Sequence, residues 1–512
     1  MKLVKSLMLG SAAGLVVMSG AQAADLPVKA KAVEYVKVCS LYGAGFYYIP
    51  GTDTCIKVGG YLRAEIDANT NSTSGTNFSG ASGAANRFTN DYTWRGRSAI
   101  NIDTRTATEY GVVRTFALTT FSWTTDTYAG NSSAAGSTVY SSIGGTAAPG
   151  NASSGAGGSG GVGVQYAYLQ FAGFTIGRAI SEFSSPWQNY PANNVDLLVG
   201  SASAVIGVSQ FTYTGQFGNG VSAAISVQDP SSNFQAGVNN LSATGASFYG
   251  TSDYAGTVAP DIIGTATVDQ AWGQFKFSVA AHDNHAAYYG LTEDTGHPGD
   301  RWGWAAQGAL QIKNIPTGPG DDIKIQAVYT DGATRFNINE EASQFGSAGI
   351  YGSTSVPGAY ESIGFGTAPD TVFAKGTQQY LIKTWGMNAG FNHNWDPYWS
   401  SGLYGAYAGV RYGSGAKNLI CNTSGIGFAV AAGAGVTTCN PDYSISQAGI
   451  ITRWTPVKNL TFSGDLTWSH IDQQYSGTIT QSASASIGKP SATYELKSQS
   501  NVTLLFRAQR DF

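Results

Sequence analysis

Apolar and polar residues alternate with a period of two in segments spread along the whole chain. From Ile56 to Asp67 one face carries Ile56, Val58, Gly60, Leu62, Ala64 and Ile66. The other carries Lys57, Gly59, Tyr61, Arg63, Glu65 and Asp67. From Trp94 to Asp103, Trp94, Gly96, Ser98, Ile100 and Ile102 alternate with Arg95, Arg97, Ala99, Asn101 and Asp103. Phe275, Phe277, Val279 and Ala281 alternate with Gln274, Lys276, Ser278 and His282. Leu460, Phe462, Leu466 and Trp468 alternate with Thr461, Ser463, Asp465 and Thr467. The last segment, Asn501 to Phe512, sets Val502, Leu504, Phe506 and Ala508 against Thr503, Arg507, Gln509 and Asp511, with Leu505 as the exception. This period predicts strands with two different faces. A soluble sandwich would turn the apolar faces inward, a lipid barrel outward, and alternation alone does not separate the two.

Connector lengths favour the barrel. Thr106 to Gly111, Ala172-Gly173, Asn219-Gly220, Gly318 to Asp321, Asp396 to Ser401 and Pro456 to Asn459 are short. Between them lie long Gly-, Ser-, Thr- and Ala-rich tracts: Asn69 to Asn90, Thr124 to Gly161, Ser181 to Ala204, Asp229 to Pro260, Arg335 to Lys375, Gly413 to Asn440 and Gln474 to Pro490. Tight turns on one rim and long loops on the other are the plan of an outer-membrane barrel. The predicted fold class is all-β, a transmembrane antiparallel β-barrel of about sixteen strands with long extracellular loops and short periplasmic turns. Aromatics near the strand ends (Tyr92, Trp94, Phe121, Trp123, Trp302, Trp304, Tyr398, Trp399, Trp454 and Trp468) predict interfacial girdles.

The N-terminus predicts export. Lys2 and Lys5 precede an apolar run from Leu7 to Met18, and Ala21-Gln22-Ala23 forms a small-residue cleavage site, so residues 1–23 read as a signal peptide. Removing Lys2 and Lys5 leaves 26 of the 28 Lys and Arg against 32 Asp and Glu, a net charge of −6. That balance, without a basic cluster, argues against nucleic acid as a partner. Only 12% of residues are charged, well below the roughly 25% of an ordinary soluble domain. The four cysteines, Cys39, Cys55, Cys421 and Cys439, allow three pairings in an exported chain. Cys39–Cys55 and Cys421–Cys439 are the local ones. A zinc site competes, but no His lies near either pair at ligand spacing.

The segment Val33 to Glu65, with Tyr92 to Ser98, Thr106 to Phe116, Phe171 to Ile180 and the terminal Phe512, resembles the general porins of α-proteobacteria, the rhizobial type. The resemblance implies a sixteen-stranded homotrimer, set in outer-membrane lipids and lipopolysaccharide, that passes small hydrophilic solutes by passive diffusion. It implies no cofactor and no catalytic group. It also implies that the third long loop, about 181–204 with Glu182 and Asp196, folds into the barrel as a constriction. Basic residues of the early strands, Arg63, Arg95 and Arg97, would face it. The alternation places those arginines on the polar face independently. Turning Arg95 and Arg97 into lipid would cost ~2–4 kcal/mol each near the midplane. The expected organisation is a signal peptide (1–23), a periplasmic segment (24–55) stapled by Cys39–Cys55, and a barrel (56–512).

Other charges are less specific. Arg178 shares a parity with Phe174 and Ile176, which points it at lipid unless the strand breaks; Arg114 shares one with Phe116 and Leu118, which leaves its side open. Lys57, Lys276, Lys324 and Arg411 alternate onto polar faces and read as solvated lumen residues. His282 and His285 fall on opposite faces of a strand, a poor metal pair. No serine nucleophile completes a triad with His282 and Asp283. Two alternatives to an open diffusion pore stand at this level: a substrate-selective channel, and a barrel plugged by its own loops that acts at the surface.

Overall fold

The computed structural model describes residues 37–69, 91–125, 158–187, 191–194, 198–201, 207–232, 236–242, 251–338, 348–422, 435–481 and 490–512. The predicted signal peptide (1–23) and Asp196 lie outside the described residues. Sixteen strands form the barrel: β1 Thr54–Ala68, β2 Tyr92–Thr108, β3 Gly111–Thr125, β4 Gly158–Phe171, β5 Phe174–Ala179, β6 Val208–Gly218, β7 Val221–Gln228, β8 Asp261–Gln270, β9 Gly273–Asn284, β10 Arg301–Lys313, β11 Asp322–Asp331, β12 Tyr380–Asn394, β13 Trp399–Tyr412, β14 Tyr443–Val457, β15 Leu460–Gln473 and β16 Gln499–Asp511. Each pairs antiparallel with its sequence neighbour, and β16 pairs back onto β1, with Tyr61 opposite Asp511 and Ala68 opposite Leu504. Closure leaves no barrel edge, the condition for crossing a bilayer with strands. No described helix is long and apolar enough to cross one.

The period-two pattern resolves into an apolar outside and a polar inside. Val58, Leu62, Trp94, Ile100, Phe277, Leu466 and Phe506 are exposed on the outer face. Glu65, Arg95, Asp103, Gln307, Asn388, Asp465 and Arg507 are buried within. Trp304 and Tyr329 meet near one rim at 5.2 Å, and Trp399 and Trp454 stack near the other at 5.9 Å between ring centroids. Tight turns follow local chemistry. Asn219 and Gly220 both have positive φ, 49° and 73°, as a two-residue hairpin requires. A Cβ on Gly220 would lie 1.9 Å from the Asp269 carbonyl oxygen. Phe512 exchanges backbone hydrogen bonds with Gly60 across the closing seam, at 3.0 and 3.1 Å.

Two connections escape the sequence reading: the turn Ala271-Trp272 before β9 and the long loop 285–300 between β9 and β10. Arg411 is corrected. It pairs in register with Lys383, opposite Asp331, on the outer face, and its guanidinium lies over the Trp385 ring at 5.0 Å. Strand ends at the headgroup level admit charge, so parity there does not report the lumen. Arg114 points inward beside Asp103, whereas Arg178 lies on the outward parity of β5, opposite Ala167, with its Nε donating to the Val164 carbonyl at 3.1 Å.

Loops on the extracellular side build a second sheet from Ala348–Gly352, Glu361–Gly366, Ala492–Leu496, Ser476–Gln481 and Val436–Thr438. Ile350, Ile363, Ile479, Tyr494 and Leu496 pack into its core. Disulfides Cys39–Cys55 and Cys421–Cys439 join the two local pairs. Within this extracellular sheet, burial pushes the Glu361 carboxyl up to about 7, and its Oε2 has no hydrogen-bond partner among the described residues. Burial, reinforced by Glu361, also raises the Tyr351 and Tyr494 phenols. Nearby Glu495 behaves oppositely: burial alone would raise it, but hydrogen bonds from Ser355 N and Thr354 Oγ1 and the charge of Lys497 hold it low. A raised carboxyl stabilises the fold fully below its unfolded value near 4.5, and the stabilisation fades as pH rises through about 7. Amide exchange in 361–366 and 492–496, corrected for intrinsic rates, is therefore expected to be slower at about pH 5 than at about pH 8. Glu361→Gln should remove that difference.

Candidate pore constriction

The third long loop enters the barrel and runs along its inner wall. Ser181 Oγ donates to Gln228 Oε1 on β7 at 2.8 Å, and Gln210 Nε2 on β6 donates to the Ile180 carbonyl at 2.7 Å. Phe183 is fully buried, packs on Phe336 at 4.6 Å between centroids, and accepts a hydrogen bond from Gln307 of β10 on its carbonyl at 2.9 Å. Further on, Asn392 of β12 donates to the Pro191 carbonyl at 2.9 Å. Arg453 of β14 donates to that of Ala192 at 2.9 Å. Asn194 is held on three sides. Its N–H donates to Asp465 Oδ2 at 2.7 Å, its Nδ2 to Ser463 Oγ at 2.8 Å, and its carbonyl accepts from Arg507 Nη2 at 3.0 Å. Val199 N donates to Gln447 Oε1 at 2.8 Å. Gly200 has φ +84°, and a Cβ there would lie 2.4 Å from the Met387 carbonyl oxygen, so the loop backbone seats directly on β12. Polar side chains facing inward from β6 to β16 thus satisfy loop backbone groups that would otherwise be buried without partners.

Strands β1 to β5 complete the circumference. Glu65 on β1 is buried between two arginines, Arg95 on β2 and Arg507 on β16, and accepts from the Nε of each. Arg63 donates its Nε to Gln509 at 2.8 Å and lies over the Tyr61 ring. Arg97 donates its Nε to Ser122 of β3 at 2.9 Å and has no carboxylate within ion-pair range among the described residues. Arg63, Arg95 and Arg97 therefore share one inner wall. Glu182, at the start of the loop, lies 3.7 Å from Lys276 on β9, eight strands round the barrel from β1. Sequence reasoning placed Arg507 and Asp465 on polar faces but gave them no role, and passed over Arg453. Their partners are a loop and a strand hundreds of residues away, and only closure reveals them. Among the described residues, Arg63, Arg95, Arg97, Arg453 and Arg507 outnumber Glu65, Asp67 and Asp465 by two charges.

A closed sixteen-strand barrel with an apolar exterior and a charged interior narrowed by its own loop is an integral outer-membrane channel. The sequence profile of the porin subfamily matches residues 25–505. Porin Omp2b of Brucella neotomae is 31% identical over 384 residues, which cover 73% of this chain and 92% of that protein. Porin Omp2b of Brucella suis biovar 1 is 35% identical over 55% of this chain and 66% of its own length. The outer-membrane channel DcaP of Acinetobacter baumannii shares the fold, with a TM-score of 0.53 at 14% identity over 91% of this chain and 99% of that one. The chain belongs to the porin family, and it forms a porin-type diffusion pore in the outer membrane.

Proposed function

We propose that the pore is narrowest between the inward-folded loop (181–201) and the basic wall carrying Arg63, Arg95 and Arg97, in a homotrimer embedded in outer-membrane lipid and lipopolysaccharide. The observation that carries this reading is the anchoring of Ala192 and Asn194 by Arg453, Asp465 and Arg507, which holds loop backbone inside the barrel on β14 to β16, next to the wall of β1 and β2. Charges fixed in a narrow, low-dielectric passage act strongly on a passing ion. The excess of arginine gives small hydrophilic solutes a transverse field and a weak preference for anions. Glu182 and Asp196 supply acidic counter-charge from the loop. Arg97 is the test residue, because no carboxylate among the described residues offsets it. In a salt gradient, Arg97→Glu is expected to move the reversal potential toward cations, while a variant remote from the passage, Lys313→Glu at the turn rim, leaves it unmoved. Identical reversal potentials for wild type and Arg97→Glu would remove Arg97 from the constriction.

A plugged surface barrel is the second reading that one observation favours. The segment 361–373 also crosses the extracellular mouth, tied by Gln473 to Ile363, by Tyr412 to Thr367 and by Tyr254 to Asp370. Folded protein without conductance would select it.

A further inference from the structure

A second charged cluster faces the lumen near the short-turn rim. Asp103 and Arg105 on β2, Arg114 on β3 and Gln170 on β4 meet there. Arg114 donates Nη2 to Asp103 Oδ2 at 2.9 Å and Nη1 to Gln170 Oε1 at 3.0 Å. Arg105 donates Nε and Nη2 to the same carboxylate at 3.2 and 3.0 Å. Two guanidiniums share one carboxylate, which leaves one positive charge over. The Arg105 guanidinium lies 5.7 Å from the Tyr42 ring and 4.9 Å from that of Phe46, in the segment tied down by Cys39–Cys55.

Two features of this cluster are not explained by packing. The Tyr42 hydroxyl is shielded from solvent and has no hydrogen-bond partner among the described residues. Beside it is a cavity of about 500 Å³ lined by Tyr42, Arg105, Arg114, Gln170, Thr175 and Gln216. That volume is in the range of small-molecule sites. A buried hydroxyl without a partner is unfavourable unless a ligand supplies one.

We propose that this cavity is a holding site for the oxyanion head of a small solute, a carboxylate or a phosphate, at the periplasmic end of the pore. Arg105 Nη1 and the Tyr42 hydroxyl donate to it, and the uncompensated positive charge attracts it. Asp103 fixes both guanidiniums and keeps the binding weak, so that the solute leaves again, as conduction requires. The site is separate from the constriction. Arg105 lies eight residues beyond Arg97 on β2, which is on the order of 25 Å of strand.

The test is single-channel recording of the full-length protein in chloride, with sodium acetate or inorganic phosphate added to each side in turn at constant ionic strength. Saturable interruptions of the chloride current are expected, more frequent when the anion enters from the short-turn side. Tyr42→Phe, which removes one oxygen and no charge, should weaken the interruption about threefold. Arg105→Gln should weaken it about tenfold or more. A stronger effect of acetate identifies a carboxylate head, and of phosphate a phosphate head. If neither anion interrupts the wild-type current, the site does not exist. A response lost in Arg105→Gln but unchanged in Tyr42→Phe also rejects it, because a change of field alone would do that. Should Arg105→Gln fail to fold, Tyr42→Phe decides the question by itself.

Discussion

Glu65→Gln is expected to destabilise the barrel by about 3–5 kcal/mol, the usual cost of breaking a buried ion pair from one side. Glu65 is shielded from solvent and is the shared acceptor for Arg95 and Arg507, themselves buried. A glutamine keeps the shape but offers no negative charge. Two guanidiniums would then repel across a space from which water is largely excluded, where charge interactions are much stronger than in water. Because Arg507 also holds the Asn194 carbonyl, the damage extends to the loop. The measurement is the temperature at which unheated barrel converts to the unfolded band on a gel. A fall is expected for Glu65→Gln and a smaller one for Arg97→Gln, whose hydrogen-bond partner among the described residues is a single hydroxyl. Equal transitions for wild type and Glu65→Gln would show that the triad does not support the seam between β16, β1 and β2.

Excising residues 184–201 is expected to give the largest change in conductance, a rise of at least about twofold, since conductance follows the open section at the narrowest point. The barrel itself should survive, because its sixteen strands pair without that loop. The cost falls on side chains left without partners: Asn392, Gln447, Asp465 and Arg507 each lose a loop backbone contact. They face water once the loop is gone, so the penalty is smaller than in a dry core. Gly200→Val is a gentler version at full length. Its Cβ meets the Met387 carbonyl, so the loop must lift from β12 and conductance should rise partway. Unchanged conductance in both variants would mean that the loop does not limit the passage.

The barrel was legible in the sequence because lipid and lumen impose opposite chemistry on alternate residues, and that chemistry is written in a period of two. Ile56 to Asp67 and Trp94 to Asp103 fall on the two faces as read. Legibility failed where the contrast fades. Around Arg114, the inward face carries Phe116, Tyr166 and Tyr168, with Phe116 stacked on Tyr168 at 5.4 Å, so apolar residues no longer report lipid. The β3–β4 register also shifts between Leu118 and Thr119, which moves parity along β4. At Arg411 the outer face leaves the apolar band. The turn at Ala271-Trp272 carries no Asn-Gly or Pro signal. The extracellular sheet was beyond reach. It pairs Glu361 with Tyr494 in parallel, and no local pattern encodes a contact between two loops so far apart. For the constriction, residue types and faces were readable. Partnerships were not, because Glu65 and Arg507 meet only when the first strand closes on the last.

The account turns on whether this barrel is open, and single-channel recording of the purified, folded protein in a planar bilayer tests that directly. Ohmic openings in groups of three, with a small reversal potential on the anion side in a salt gradient, are predicted for a trimeric porin with a basic constriction. Folded, heat-modifiable protein that inserts but carries no current would contradict it, and the loops in the lumen would then be a plug.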